Sequence, residues 1–370
     1  MCVVLLFPRA VPLHAQVGSD FDPAAWSYGP RNSPEGAVET WNPVKQKLRN
    51  GEPVIGGTIR SPDPRTYCEM AAAGYDFTWT EMQHEAMSWE QLSRMWLTCP
   101  GPAVPGVRIA HESEGNVQMP ADMGALVIVV PTVDTVEEAR RAVDWTYFPP
   151  MGRRSNGGGQ AFGAEMWGQV PGGYRETWNE NVVLILMIET LEGVQNAREI
   201  AAVPGVDALF AASGDLGNFS GYQEGDAEYE MLVTEVVEAA RSAGKAVCGP
   251  LRWMGTRPEF TCFQGGTEGA NIRRGAQAEI QAAQARMAEA GAAAGQAAVV
   301  ADLAAACGQI VYLADCLQAV RAAASSAVSL PAGDADRVRA ALLRIAEDNP
   351  AQAEAIREAA ASEGFPIERG

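Results

Sequence analysis

The stretch NVVLILMIE, Asn181–Glu189, runs through seven consecutive apolar residues and stops on a carboxylate. A strand with one wet face alternates apolar and polar side chains. One that is apolar at every position is buried on both faces, as in a parallel sheet covered by helices. Similar runs recur on either side: PVIGGTI (53–59), YDFTWT (75–80), AVPGVRI (103–109), ALVIVVP (125–131), VDALFAA (206–212), KAVCGP (245–250) and GTEGANI (266–272). Between them lie segments of helical periodicity, including 63–73, 88–97, 134–146, 193–202, 226–243 and 275–291. Alternation of this kind is the pattern of repeated βα units. Eight strands within about 250 residues predict a closed (β/α)8 barrel, a TIM barrel, rather than an open doubly wound sheet.

The barrel segment predicted from this texture is 42–292 of a 370-residue chain that is 47% hydrophobic, enough for a large core without staples. Residues 17–41, rich in Gly, Pro, Ser and Asn, read as an extended leader without a fold of its own. Residues 293–370 are dominated by alanine, with Leu and Ile at helical spacing. They predict an α-helical extension of two or three amphipathic helices broken at SLPAGDAD, where Asp334 or Asp336 would start a helix. The first 16 residues hold a short apolar run and end at Ala15–Gln16 like a secretory signal, but lack a basic start and are interrupted by Pro8 and Pro12. These features leave cytoplasmic and exported locations both open.

With 46 acidic and 28 basic residues the formal charge is −18, which argues against nucleic acid or an anionic membrane as a partner. No segment has the roughly 18 apolar residues of a membrane span. The seven cysteines, Cys2, Cys68, Cys99, Cys248, Cys262, Cys307 and Cys316, show no CxxC spacing. They predict neither a zinc site nor a regular disulfide framework, and most read as small core residues.

Catalytic groups in such a barrel lie where strands end. Strand two runs into Glu81 and His84, strand three into Arg108, strand five into Glu189, and strand six into ASGDL with Asp215. Each alone also reads as a helix cap or a structural residue. Together, three carboxylates, a cation and an imidazole on one rim are the parts of a metal-assisted acid/base site. Glu189 and Asp215 offer hard oxygen ligands for Mg²⁺ or Mn²⁺, with Co²⁺ as a further candidate, and leave positions open for a chelating 2-oxo acid. Arg108 is placed to donate to the keto oxygen, and His84, oriented by Glu81, to carry the proton. Gly214 precedes Asp215 in a turn ahead of a helix, where backbone N–H groups would bind the substrate carboxylate. The only lysines are Lys45, Lys47 and Lys245. None falls at that rim, so a metal-assisted enolate is preferred to an imine.

These residues resemble the HpcH/HpaI aldolase/citrate lyase family, the metal-dependent class II pyruvate aldolases, over roughly residues 42–290. The landmarks are NPVKQKLRNGEPVIGGTI, AGYDFTWTEMQHE, VRI around Arg108, VVPTVDTVEEARRAV, YFPPMGRR, MIETLEGVQNAREIAAVPGVDALF and ASGDL, in order and at matching spacing. The glycine-rich RRSNGGGQAFG falls where the family carries a variable loop. The resemblance implies reversible cleavage of a 4-hydroxy-2-oxo acid to pyruvate and an aldehyde by a homo-oligomer, a hexamer assembled as a trimer of dimers. It also implies Glu189 and Asp215 as metal ligands, His84 as base, Arg108 as oxyanion and substrate arginine, and Glu81 in place of the aspartate that pairs with the histidine. The chain departs from the family at Glu81-Met82-Gln83-His84, where D-G-E-H is common, and at Met187, where a substrate- or metal-facing glutamine is common. ASGDL likewise replaces G-P-x-D-L. Trp79, Trp167 and Met187 would make the site more apolar. Two alternatives stay open: a citrate-lyase-like enzyme acting on a CoA thioester, and a catalytically silent barrel that binds a 2-oxo acid.

Overall fold

The computed structural model describes residues 28–29, 32, 38–99, 101–157, 172–308 and 313–368, with the backbone alone for 291–297. The signal-like segment 1–16, most of the leader, Trp167 and most of the glycine-rich loop lie outside the described residues. Two compact units divide between Asn271 and Ile272.

The first unit is a closed barrel of eight parallel strands in sequence order. They are β1 (Val54–Ile59), β2 (Phe77–Glu81), β3 (Val104–Arg108), β4 (Val127–Val130), β5 (Val183–Ile188), β6 (Ala208–Ala211), β7 (Ala246–Pro250) and β8 (Cys262–Thr267). The opening stretch is β5, and all six of its residues are buried, as the unbroken apolar run requires. Helices between the strands start where the sequence supplies caps: Asp63, Ser88, Thr135 and Thr190 each accept a backbone N–H of the following first turn.

Aromatic side chains fill the barrel interior. Trp79 on β2 reaches Phe210 on β6, a strand that is not its neighbour, with ring centroids 5.2 Å apart. Room for Phe77 comes from glycine on both flanking strands. A Cβ on Gly56 would lie 2.4 Å from the Phe77 ring, and one on Gly106 3.0 Å from it. Since side chains alternate along a strand, Phe77, Trp79 and Glu81 share one face, and the interior ends in a carboxylate at the mouth.

The eighth strand differs from the expected 266–272: it is Cys262–Thr267, in register with β7 at Cys248↔Cys262 and with β1 at Val54↔Cys262. From Glu268 the chain is helical as far as Cys307, because Thr267 Oγ1 accepts the Ala270 N–H and caps the turn.

The cysteines also correct the sequence reading. Six of the seven form disulfides, Cys68–Cys99, Cys248–Cys262 and Cys307–Cys316, and Cys2 lies outside the described residues. No local motif marks these pairs, because the fold makes them. Cys248 and Cys262, for example, are in-register partners on adjacent strands.

The second unit is helical, as predicted. Helices Leu313–Ala327, Ala332–Asp348 and Ala353–Ser362 bury Val320, Leu342 and Ile356 with Leu303 and the Cys307–Cys316 pair in one core. Asp334 sits inside the first turn of the middle helix, whose cap is Pro331 without a side-chain hydrogen bond. No helix among the described residues is long and apolar enough to cross a membrane.

Candidate active site

Strand ends deliver Glu81, Arg108 and Glu189 to one mouth, while Asp215 arrives on the helix Ser213–Ser220 that leaves β6. Glu81 and Arg108 are register partners on β2 and β3, so their side chains lie side by side. Arg108 Nε donates to Glu81 Oε2 at 2.7 Å, and Nη2 closes an ion pair on the same oxygen. Both residues are buried. The other oxygen of Glu81 accepts the backbone N–H of Gln83 at 2.7 Å and of His84 at 3.1 Å.

Glu81 therefore does something other than expected. The sequence predicts that it orients the His84 imidazole, yet its carboxylate is committed to Arg108 and to the turn that carries His84. The histidine itself is exposed, and its ring makes no hydrogen bond among the described residues. What decides this is the β2–β3 register, which no motif in the sequence displays.

Glu189 is 1% exposed directly after β5, and its Oε1 accepts one N–H, from Thr132 at 3.1 Å. Burial pushes its carboxyl up to about 7; the Thr132 N–H works against that rise, the facing Asp215 adds to it, and nearby Arg108 opposes it. A carboxylate in such surroundings is left short of positive charge. Met187 lies two residues back on the same strand face, 2% exposed and in register with Phe210, so an apolar thioether lies beneath the carboxylate.

Sequence reasoning missed Thr132. It adopts φ 48°, the one non-glycine residue with positive φ among the described residues. That conformation is costly for a β-branched residue. It aims the Thr132 N–H at Glu189 while Val133 N–H bonds Met187 O at 3.1 Å. Strain of this kind leaves no trace in residue type; a glycine there would have given the only hint.

The helix Ser213–Ser220 has Ala212 as its cap residue and no side-chain cap. A Cβ on Gly214 would meet nothing within 4 Å. This helix start carries partial positive charge with no side-chain cap, a setting that favours an anion. All three lysines lie elsewhere. Lys45 Nζ is held by Val182 O at 2.6 Å and pairs with Asp207, Lys47 pairs with Asp76, and Lys245 precedes β7 at the opposite end.

No group of three or more His, Cys, Asp or Glu side chains able to hold a metal occurs among the described residues. Two facing carboxylates still fit a hard divalent cation that takes its remaining ligands from water or substrate. The residue chemistry supports that fit, since burial and the facing Asp215 disfavour the charged form of Glu189, and the Thr132 N–H and Arg108 offset this only in part.

With this geometry in view, residues 69–272 match the HpcH/HpaI aldolase/citrate lyase family. The chain belongs to that family. It is 36% identical over 214 residues to the hydroxypyruvate/pyruvate aldolase of Delftia acidovorans, covering 57% of this chain and 78% of that one. It is 30% identical over 208 residues to the 2-keto-3-deoxy-L-rhamnonate aldolase of Escherichia coli K12, covering 55% of this chain and 77% of the relative. Among solved structures, an HpcH/HpaI family protein from Burkholderia cenocepacia superposes with TM-score 0.58 at 27% identity, covering 66% of this chain and 99% of that one. The chain is accordingly an enzyme of the aldolase class, a carbon–carbon lyase.

Proposed function

We propose that this family member is a divalent-metal-dependent pyruvate aldolase that reversibly cleaves a 4-hydroxy-2-oxo acid to pyruvate and an aldehyde. The observation that carries the reading is the buried Glu189 carboxylate facing Asp215 beside Arg108 at the barrel mouth. Glu189 and Asp215 would hold Mg²⁺, Mn²⁺ or Co²⁺, which would supply Lewis-acid stabilisation of negative charge on the substrate oxygens.

The remaining work falls to the chain. N–H groups at Gly214 and Asp215 bind the substrate carboxylate at the helix start. Arg108, fixed by Glu81, presents its Nη1, which has no partner among the described residues, to the keto oxygen. A donor held in place beforehand needs no reorganisation as charge develops there. His84 takes the proton of the 4-hydroxyl during cleavage and returns it in the aldol direction. Trp79 and Phe210 close the barrel beneath, keeping water from below the reacting carbons.

Six paired cysteines favour an oxidising compartment, the exported one of the two locations the sequence left open. Assembly as a hexamer, a trimer of dimers, belongs to the same reading and is checked by solution mass. The reading itself is tested by proton NMR of pyruvate in D₂O. Loss of the methyl signal that requires both protein and added Mg²⁺ or Mn²⁺ is the expected result. Pyruvate protons that stay in place with metal present would refute it.

A further inference from the structure

We propose that Arg60 and Glu85 are positioning residues for His84, a clasp between the ends of β1 and β2 that holds the histidine turn at the mouth; this rests on the aldolase reading above. After β2 the chain runs through residues 82–87 without helix or strand. Such a segment needs an anchor. The His84 ring is exposed and makes no hydrogen bond among the described residues, and the Glu81 carboxylate goes to Arg108 and to the N–H groups of Gln83 and His84. Glu81 thus fixes where the turn begins. Its far side is fixed by Glu85, the residue next to the histidine, whose Oε1 takes both Nε and Nη2 of Arg60. Glu85 is the one side chain of 82–87 that hydrogen-bonds among the described residues, and the buried Oε1 of Gln83 goes without a partner there.

Arg60 is itself held in place. It follows β1 directly, and the buried carboxylate of Glu268, directly after β8, accepts its backbone N–H at 3.1 Å and that of Ser61 at 2.6 Å. Two backbone donors on a buried carboxylate tie the loop after β1 to the strand that closes the barrel. The series runs from β8 through the Arg60 backbone and guanidinium to Glu85, and so to the histidine turn after β2. Stability does not explain the last link. The Arg60 and Glu85 side chains are 52% and 26% exposed, and an ion pair in that setting adds little to folding. What the pair does supply is a fixed reference for a segment outside helix and strand. A general base works only within hydrogen-bond reach of its proton, so a small displacement of the turn is felt in the rate.

Two measurements on the full chain test this. The first is NMR of the histidine ring Cε1–H groups, with His84→Ala assigning one of the three signals. Arg60→Ala should shift and sharpen the His84 signal as the turn is released, and leave the other two histidines unmoved. This comparison needs no substrate. The second is steady-state cleavage of 4-hydroxy-2-oxopentanoate or 4-hydroxy-2-oxoglutarate, whichever the wild type turns over faster, with saturating Mg²⁺. Arg60→Ala and Glu85→Ala should each lower kcat about tenfold, the scale of a displaced catalytic group, with KM and melting temperature unchanged. The double variant should lose no more than either single one, because both remove one contact. Added to His84→Ala, Arg60→Ala should cost nothing further, since the clasp acts through that ring. A His84 signal indifferent to Arg60→Ala, a wild-type kcat in that variant, or a further loss on top of His84→Ala each overturns the assignment. If the wild type exchanges pyruvate protons and Arg60→Ala changes nothing, only the clasp falls. If it exchanges none with metal present, the aldolase reading falls and takes this assignment with it.

Discussion

The two ends of the barrel treat carboxylates in opposite ways. At the N-terminal end, Asp207 accepts the Leu184 N–H at 2.9 Å and the Tyr147 hydroxyl at 3.3 Å, and pairs with buried Lys45 at 3.1 Å. Asp76 accepts the Ile55 N–H at 2.8 Å and pairs with Lys47 at 2.6 Å. At the C-terminal mouth Arg108 is spent on Glu81, and Glu189 has one N–H, a facing carboxylate and Arg108 only nearby. The carboxylates of one end are neutralised by the chain itself, whereas at the other Glu189 and Asp215 are left for something the chain must bind. That division is what separates a stabilising end from a working end in a barrel of this kind.

Asp215→Ala gives the largest expected effect. Removing a ligand oxygen at the mouth should abolish metal-dependent turnover, a loss of at least about 10³-fold, while the metal-free fold melts no earlier, since a repulsion is relieved. Full activity without added metal in that variant would break the comparison at its centre. Asp207→Ala should show the converse. It strands Lys45, which is 4% exposed, and is expected to cost on the order of 3 kcal/mol of stability in denaturant unfolding. The folded fraction should keep its kcat. Equal effects of the two changes on both readouts would mean that the ends are not divided in this way.

Much of this was legible in advance because the relevant physics is local. Unbroken apolar runs such as β5 announce a sheet buried on both faces, and the polar residue that ends each run marks the mouth. What escaped reading was mostly non-local. The β2–β3 register gives the Glu81 carboxylate to Arg108 rather than to the His84 ring. The β7–β8 register brings Cys248 and Cys262 together, and a capping hydroxyl at Thr267 turns GANI from strand to helix. Neither register depends on the residue type at one position, so no motif carries it, whereas the Thr267 cap is local and was open to reading.

The mouth should also respond to pH in a way the base does not. Glu189 holds its proton in the folded chain up to about 7, against an ordinary 4.5, so between those values the folded state binds more protons than the unfolded one. Metal-free stability should therefore fall as pH rises through that window, because the buried carboxylate must then ionise in apolar surroundings facing Asp215. Added Mg²⁺ or Mn²⁺ should reverse the trend above pH 7. By calorimetric titration the metal affinity should drop about tenfold for each pH unit below about 7, as one proton competes with the metal. A flat affinity from pH 5 to 8 would take Glu189 out of the metal site.

The smallest effect separates strain from aim at Thr132. Its φ of 48° suits asparagine far better than a β-branched residue, and the N–H that serves Glu189 belongs to the backbone. Thr132→Asn should thus raise stability by about 1 kcal/mol through relief of strain, with metal affinity held because the donor stays in place. If stability rises while affinity falls, the threonine side chain itself has a part in holding the carboxylate. If stability falls instead, the loop after β4 depends on packing of the threonine methyl more than it suffers from the backbone angle. Either departure would place part of the mouth's organisation in the Thr132 side chain, whereas the expected result leaves it with the backbone that β4 and β5 hold in common.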